Sequence, residues 1–189
     1  MRYLIAFFLL LSGCTPAIAQ VKDVVIVYPG YTSYWNPTTL IPDSVIWVAK
    51  PHVKAVGREA GFHSTGGRKN LSKDYAKSGF DIGHNCDASD ENANKTDEYN
   101  SFDFANTFPQ KPNNNRLVWL QLENYTRSLN QPVRVKVYWK GINGYLSPDK
   151  VVIPTYTIKE LRYGGKFEKY VVPNNDTVSK HPFAFYKVK

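Results

Sequence analysis

The chain has 189 residues, 42% hydrophobic and 14% aromatic, which is enough to bury one core and short for two. Its 24 Lys and Arg outnumber 16 Asp and Glu for a formal charge of +8, which argues against an acidic, disordered chain and favours an anionic partner such as nucleic acid, acidic glycan or a membrane surface. Two cysteines are too few for a domain stapled by disulfides.

The first twenty residues, MRYLIAFFLLLSGCTPAIAQ, place one basic residue before an apolar run from Leu4 to Leu11 and end in small residues. This pattern predicts a signal peptide over residues 1–19, too short to span a bilayer as a mature helix. Two processing sites compete within it. Ala17-Ile18-Ala19 before Gln20 suits ordinary leader cleavage, the expectation adopted here, whereas Leu11-Ser12-Gly13-Cys14 resembles a lipobox that would make Cys14 a lipid anchor. Removing Arg2 with the leader leaves 23 basic against 16 acidic residues, +7, and leaves Cys86 without an intramolecular partner. The expected address is the bacterial envelope or the exterior, either secreted or periplasmic.

Residues 20–189 contain no repeat and no Pro/Gly/Ser linker, so one domain is expected. β-branched and aromatic runs predict strands at 24–28, 45–49, 133–139, 151–161 and 166–172. One helix is predicted over Arg116 to Leu129, with Leu117, Trp119, Leu120, Leu122 and Tyr125 forming an apolar stripe. Strands flanking a helix and long polar loops predict an α+β domain with a central antiparallel sheet.

Three stretches bear on chemistry. In SGFDIGHNC, Ser78 to Cys86, Gly83 lets the backbone turn or approach a neighbour closely and so sets His84 out as a candidate base. DENANKTDE puts Asp90, Asn92 and Asn94 at EF-hand positions, but Lys95 stands where the turn needs Gly and Ser101 where calcium needs a bidentate Glu, so a solvated loop is expected. In NTFPQKPNNNRLVWLQLENYTR, the residues Asn115, Trp119, Glu123 and Arg127 recur every four positions and would line one slowly winding helix face. Glu123 and Arg127 alone read equally well as an i,i+4 ion pair, and Trp119 as core. The hard, neutral oxygen of Asn115 suits Mg²⁺ completed by water and phosphate oxygens. Glu123 would lie about 12 Å further along the helix and could reach such an ion only through water.

With FDIGH followed by NTFPQKPNNNRLVWLQLE, the chain resembles the DNA/RNA non-specific endonuclease family, the ββα-metal nucleases. That family's pattern is Asp-Arg-Gly-His, then Asn-x-x-Pro-Gln, four residues, Asn, three residues, Trp, two residues and Leu-Glu. Asn106, Pro109, Gln110, Asn115, Trp119, Leu122 and Glu123 match it without a gap. The likeness continues more loosely through residues 153–175 and covers little of 20–60. It implies a ββα-metal motif, and a Mg²⁺-dependent endonuclease that cuts DNA and RNA to 5′-phosphate ends without an organic cofactor. By the same resemblance His84 is the general base, Asn115 the direct ligand of a single Mg²⁺, Glu123 a residue acting on the ion through water, and Arg127 a phosphate and charge-stabilising contact. Imidazole titrates near neutrality and guanidinium suits added negative charge, so the chemistry agrees with these roles.

One position departs. Ile82 stands where the family carries an arginine, and Arg68 or Lys69 in GGRKN are the candidate substitutes for its phosphate contact. Asp81 is expected to support the local fold or a basic neighbour, Cys86 to have no catalytic role, and His52, His63 and His181 to be structural or exposed. Two other readings stay open: a nucleic-acid-binding relative that has lost catalysis through Ile82, and a phosphodiesterase for another anion.

Overall fold

The apolar run at residues 24–27 pairs immediately with its neighbour, Val24–Val27 (β1) lying antiparallel to Tyr31–Asn36 (β2). The computed structural model describes residues 23–50, 61–91 and 94–188, so the expected leader with Cys14 and also His52 lie outside the described residues. Ile41–Ala49 (β3), Val133–Leu146 (β6), Val151–Tyr163 (β7), Lys166–Pro173 (β8) and Lys187–Val188 (β9) complete a seven-stranded sheet in the order β1-β2-β3-β6-β7-β8-β9. Every pairing is antiparallel. The fold is α+β, as expected, and the predicted strands all form. β2 was missed because its alternating buried and half-buried pattern, Tyr31, Ser33 and Trp35 inward, mixes aromatic with polar residues.

Between β3 and β6 the chain leaves the sheet to build a second layer. Asp81–His84 (β4) and Thr107–Gln110 (β5) form an antiparallel pair of their own. Two short helices, Ser72–Tyr75 (α1) and Lys95–Ser101 (α2), lie in the connections around β4. The predicted helix begins earlier than expected and in two parts, a π-helical turn at Asn114–Trp119 and then Leu120–Ser128 (α3). That wide turn corrects the expected apolar stripe. The buried side chains are Val118, Trp119, Leu122 and Thr126, whereas Leu117 and Leu120 are 45% and 44% exposed. An i→i+5 turn rotates its side chains differently from an α turn, so helical spacing counted across it picks the wrong face.

β-branched side chains on one face of the sheet, among them Val45, Val135, Val137 and Val172, meet Phe104, Phe108, Trp119 and Leu122 from the second layer in one fully buried cluster. Apolar burial of this kind stabilises the two layers against each other by roughly 25 cal/mol per Å². β5, buried along its whole length, sits directly against β7 and β3. Among the described residues no helix is long and apolar enough to cross a membrane.

Candidate active site

β4 delivers His84 to the surface beside its register partner Thr107, and the ring packs between Phe62 and Phe102 at centroid distances of 5.1 and 4.9 Å. Gly83 is required one residue earlier because Gln110 crosses over it. A Cβ there would lie 1.9 Å from Gln110 Oε1 and 2.8 Å from Gln110 Cβ. Close approach, and not a left-handed backbone, is therefore what this glycine serves. The Gln110 amide donates in turn to Asn114 Oδ1 at 2.8 Å, and the Asn114 amide donates to the Pro173 carbonyl at 2.8 Å.

Asn106 secures the segment beyond His84. Its amide donates to the carbonyls of Cys86 and Ser101 and accepts from Cys86 N, all within 2.9 Å. Cys86 is a free, fully buried thiol whose pKa burial pushes up, the neighbouring Glu91 adding to the effect.

A groove of about 610 Å³ opens beside His84, lined also by Asp81, Ile82, Asn115 and Arg116, with Phe62, Tyr75 and Phe80 as its apolar wall. Asp81 organises its polar side. Arg116 donates to both Asp81 oxygens, at 2.8 and 2.6 Å, and the Asn115 amide nitrogen donates to Oδ2 at 3.1 Å. Burial alone would raise the Asp81 pKa, but these donors and the guanidinium charge prevail and hold it below the ordinary carboxylate value. With its nitrogen committed to Asp81, Asn115 keeps Oδ1 for another partner, and this oxygen accepts no hydrogen bond among the described residues.

His84 and Asn115 are thus brought together. The other candidates lie elsewhere. Glu123 and Arg127 do not line this groove; they belong to a charged cluster with Asp87, Asp90 and Lys159. Arg127 is ion-paired to Asp87, lies 3.6 Å from Asp90, and donates to Asn124. Lys159 is fully buried with its ammonium over the rings of Trp119 and Trp47, at 5.1 and 5.5 Å. Burial raises the Glu123 pKa well above the ordinary value, Asp87 adds to this, and Lys159 and Arg127 oppose it. Arg68 does not reach the groove, because its guanidinium is held by Asp103 at 2.6 Å, and Lys69 is paired with Asp149 at 2.5 Å. The cation at the groove is Arg116, 68% exposed, which the sequence reading did not single out. Its only signal was Asp81, a carboxylate expected to serve a basic neighbour. His63 stacks on Tyr99 and His181 on Phe185, structural positions as expected.

Among the described residues no three His, Cys, Asp or Glu side chains converge on a metal position. A magnesium ion of the kind expected needs no such cage. One hard neutral oxygen, correctly oriented, suffices when water and phosphate complete the shell, and Asn115 Oδ1 fits that requirement.

A nuclease from Nostoc is 26% identical over 188 residues, covering 79% of this chain and 69% of its own length. The mitochondrial endonuclease G of Bos taurus is 31% identical over 121 residues, 53% of this chain and 40% of that protein. Among solved structures, a chain of the EndoG/EndoGI complex superimposes with a TM-score of 0.78 over 88% of this chain and 80% of its own, at 21% identity, which establishes the likeness of fold. A profile of the DNA/RNA non-specific endonucleases matches residues 16–189, a span that holds the Gly83-His84 strand, the Asn115 helix and the sheet beneath them. With nearly the whole chain matched, and with His84 and Asn115 of its motif at one groove, the protein belongs to the DNA/RNA non-specific endonuclease family.

Proposed function

We propose that this nuclease hydrolyses phosphodiester bonds of DNA and RNA in the His84 groove, with one Mg²⁺ and with 5′-phosphate products. The observation that carries the reading is the shared groove of His84 and Asn115, with the Asn115 amide nitrogen held by Asp81 and its oxygen accepting no hydrogen bond among the described residues. His84 Nε2 or Nδ1 takes the proton of the attacking water, and the flanking Phe62 and Phe102 rings hold the imidazole in place. Asn115 Oδ1 would hold the ion, while Glu123, set in the Asp87 cluster outside the groove, could act on it only at a distance through water. When bound there, the ion would supply Lewis-acid polarisation of the phosphate.

Arg116 takes over the phosphate contact that Ile82 cannot make, in preference to Arg68 and Lys69, since its partner Asp81 leaves it at the groove rim. Arg127, ion-paired to Asp87 outside the groove, contributes positive charge at long range and no direct phosphate contact. The apolar leader at residues 1–19 supports export, either as a free protein or anchored at Cys14.

Plasmid digestion with and without Mg²⁺ tests the activity. His84→Ala is expected to bind nucleic acid as the wild type does and to turn over about 10² to 10⁴ times more slowly. Wild-type turnover in that variant would remove His84 from the mechanism, and cleavage indifferent to Mg²⁺ would remove the ion.

A further inference from the structure

The sheet has a second face, turned away from β4, β5 and α3, and its register brings like charges together. Arg134 on β6 lies directly opposite Arg162 on β7. Residues directly opposite in an antiparallel pair point to the same side, about 5 Å apart at Cβ, and like charges there are destabilising. Among the described residues neither guanidinium is ion-paired. Lys136 follows on the same face opposite Glu160, and Lys169 opposite Glu160 on β8. One acid, Glu160, therefore stands among four cations, and Lys169 already engages it at 3.5 Å.

The face is also shaped and aromatic. A depression lined by Ile46, Arg134, Lys136, Glu160 and Arg162 continues past the two arginines to the Gly164-Gly165 turn and Phe167. Phe167 is 49% exposed with Arg162 stacked over it at 4.4 Å, and Tyr138 carries Lys136 and Lys169 against its ring at 5.4 and 5.5 Å. Guanidinium and ammonium groups interleaved with aromatic rings on an open surface suit a strand whose phosphates take the charges while its bases stack.

We infer that the outer face of the sheet is a second nucleic-acid-binding surface, separate from the His84 groove, in which a single-stranded polynucleotide lays a phosphate between Arg134 and Arg162. The polyanion relieves the repulsion that the register builds in, and it holds a long substrate while the other face cuts. The inference takes its polyanion from the nuclease reading, but its test is a binding test.

The full-length wild type and an Arg134→Gln/Arg162→Gln variant are titrated with a 30-mer and a 4-mer of single-stranded DNA, without divalent cations, across a salt series. The variant should bind the 30-mer about tenfold more weakly, with a log-log salt slope shallower by about 0.7, the share of one phosphate on a single strand. With Mg²⁺ restored, turnover of the 4-mer, too short to reach round the sheet, should be unchanged. The variant should melt no lower than the wild type, since it loses a like-charge pair. Phe167→Leu should weaken 30-mer binding without altering the slope. Equal affinities and slopes for the 30-mer would overturn the inference. So would loss of binding to phosphatidylglycerol vesicles with DNA binding intact, which would make the occupant a lipid surface, or an unchanged Phe167→Leu affinity, which would mean that no base stacks there. Should the wild type cleave nothing while the arginine variant still loses affinity, the nuclease reading fails and the surface stands.

Discussion

A methyl group on Gly83 would strike Gln110, which is fully buried and whose amide is already committed to Asn114. Overpacking of this kind costs about 1 to 3 kcal/mol, because the neighbour cannot swing away without breaking its own hydrogen bond. Gly83→Ala is therefore expected to lower stability by that amount and to slow cleavage as well, since the displaced strand carries His84. Gly61→Ala, whose new methyl meets nothing within 4 Å, serves as the control and should be close to neutral. Urea titrations of both compare them directly, and equal midpoints would show that Gln110 accommodates the methyl group freely. The same scale explains Arg116. A residue that no sequence motif singles out becomes the organiser of the groove because Asp81, 35 positions away, accepts from its Nε and one terminal nitrogen.

At the scale of elements, the second layer is fastened to the sheet by side-chain amides as much as by apolar packing. Asn174, just beyond β8, accepts from Lys111 N at 2.8 Å and donates to the carbonyls of Pro109 and Pro154, so one buried side chain ties β5, β7 and the start of the Asn115 helix. Leaving buried donors and acceptors without partners costs about 1 to 3 kcal/mol for each group. Asn174→Ala should accordingly destabilise by about 3 kcal/mol and reduce turnover more than it weakens substrate binding, because Asn115 loses its fixed approach. Asn175→Ala removes only an exposed cap on Thr177 and should cost less than about 1 kcal/mol. If the two variants unfold at the same denaturant concentration, the amide link is not what joins the layers. The π-helical turn belongs to this scale too, since it sends Trp119 inward against Phe108 while Asn115 stays at the groove.

Across the whole molecule, folding stability should depend on pH through Glu91, 6% exposed in the space that Gly30 vacates. Burial, with Asp97 and Asp90 nearby, pushes its pKa from 4.5 up to about 7, against the opposing Cys86 thiol and Lys50. A folded-state pKa above the unfolded value means that the native state holds the proton more tightly. The stability this contributes is complete below pH 4.5 and is lost as pH rises through about 7. The span corresponds to roughly 3 kcal/mol. Glu91→Gln stays neutral at every pH and should flatten the wild-type decline over this window by about that amount. Parallel stability curves for the two proteins between pH 5 and 8 would place the dependence on other groups.

Much of this protein was legible from its sequence. Strand periodicity set the α+β class, and the fixed spacing from Asn106 to Glu123 pointed to the nuclease family and to His84 and Asn115, because both depend on neighbours along the chain. Periodicity failed at β4 and β5, four residues each and buried through contacts with the sheet beneath, and at the helix start, where a π turn shifts the face. What only the tertiary structure decided is which charges meet. Arg116 reaches Asp81, Arg68 is taken by Asp103, and Arg127 is taken by Asp87 across 40 residues of chain. Arg134 faces Arg162 because β6 and β7 hold one register from Arg134 to Ile142. Ionic partnership falls off with distance in space, and a chain that crosses from sheet to second layer and back sets those distances without leaving any trace in local spacing.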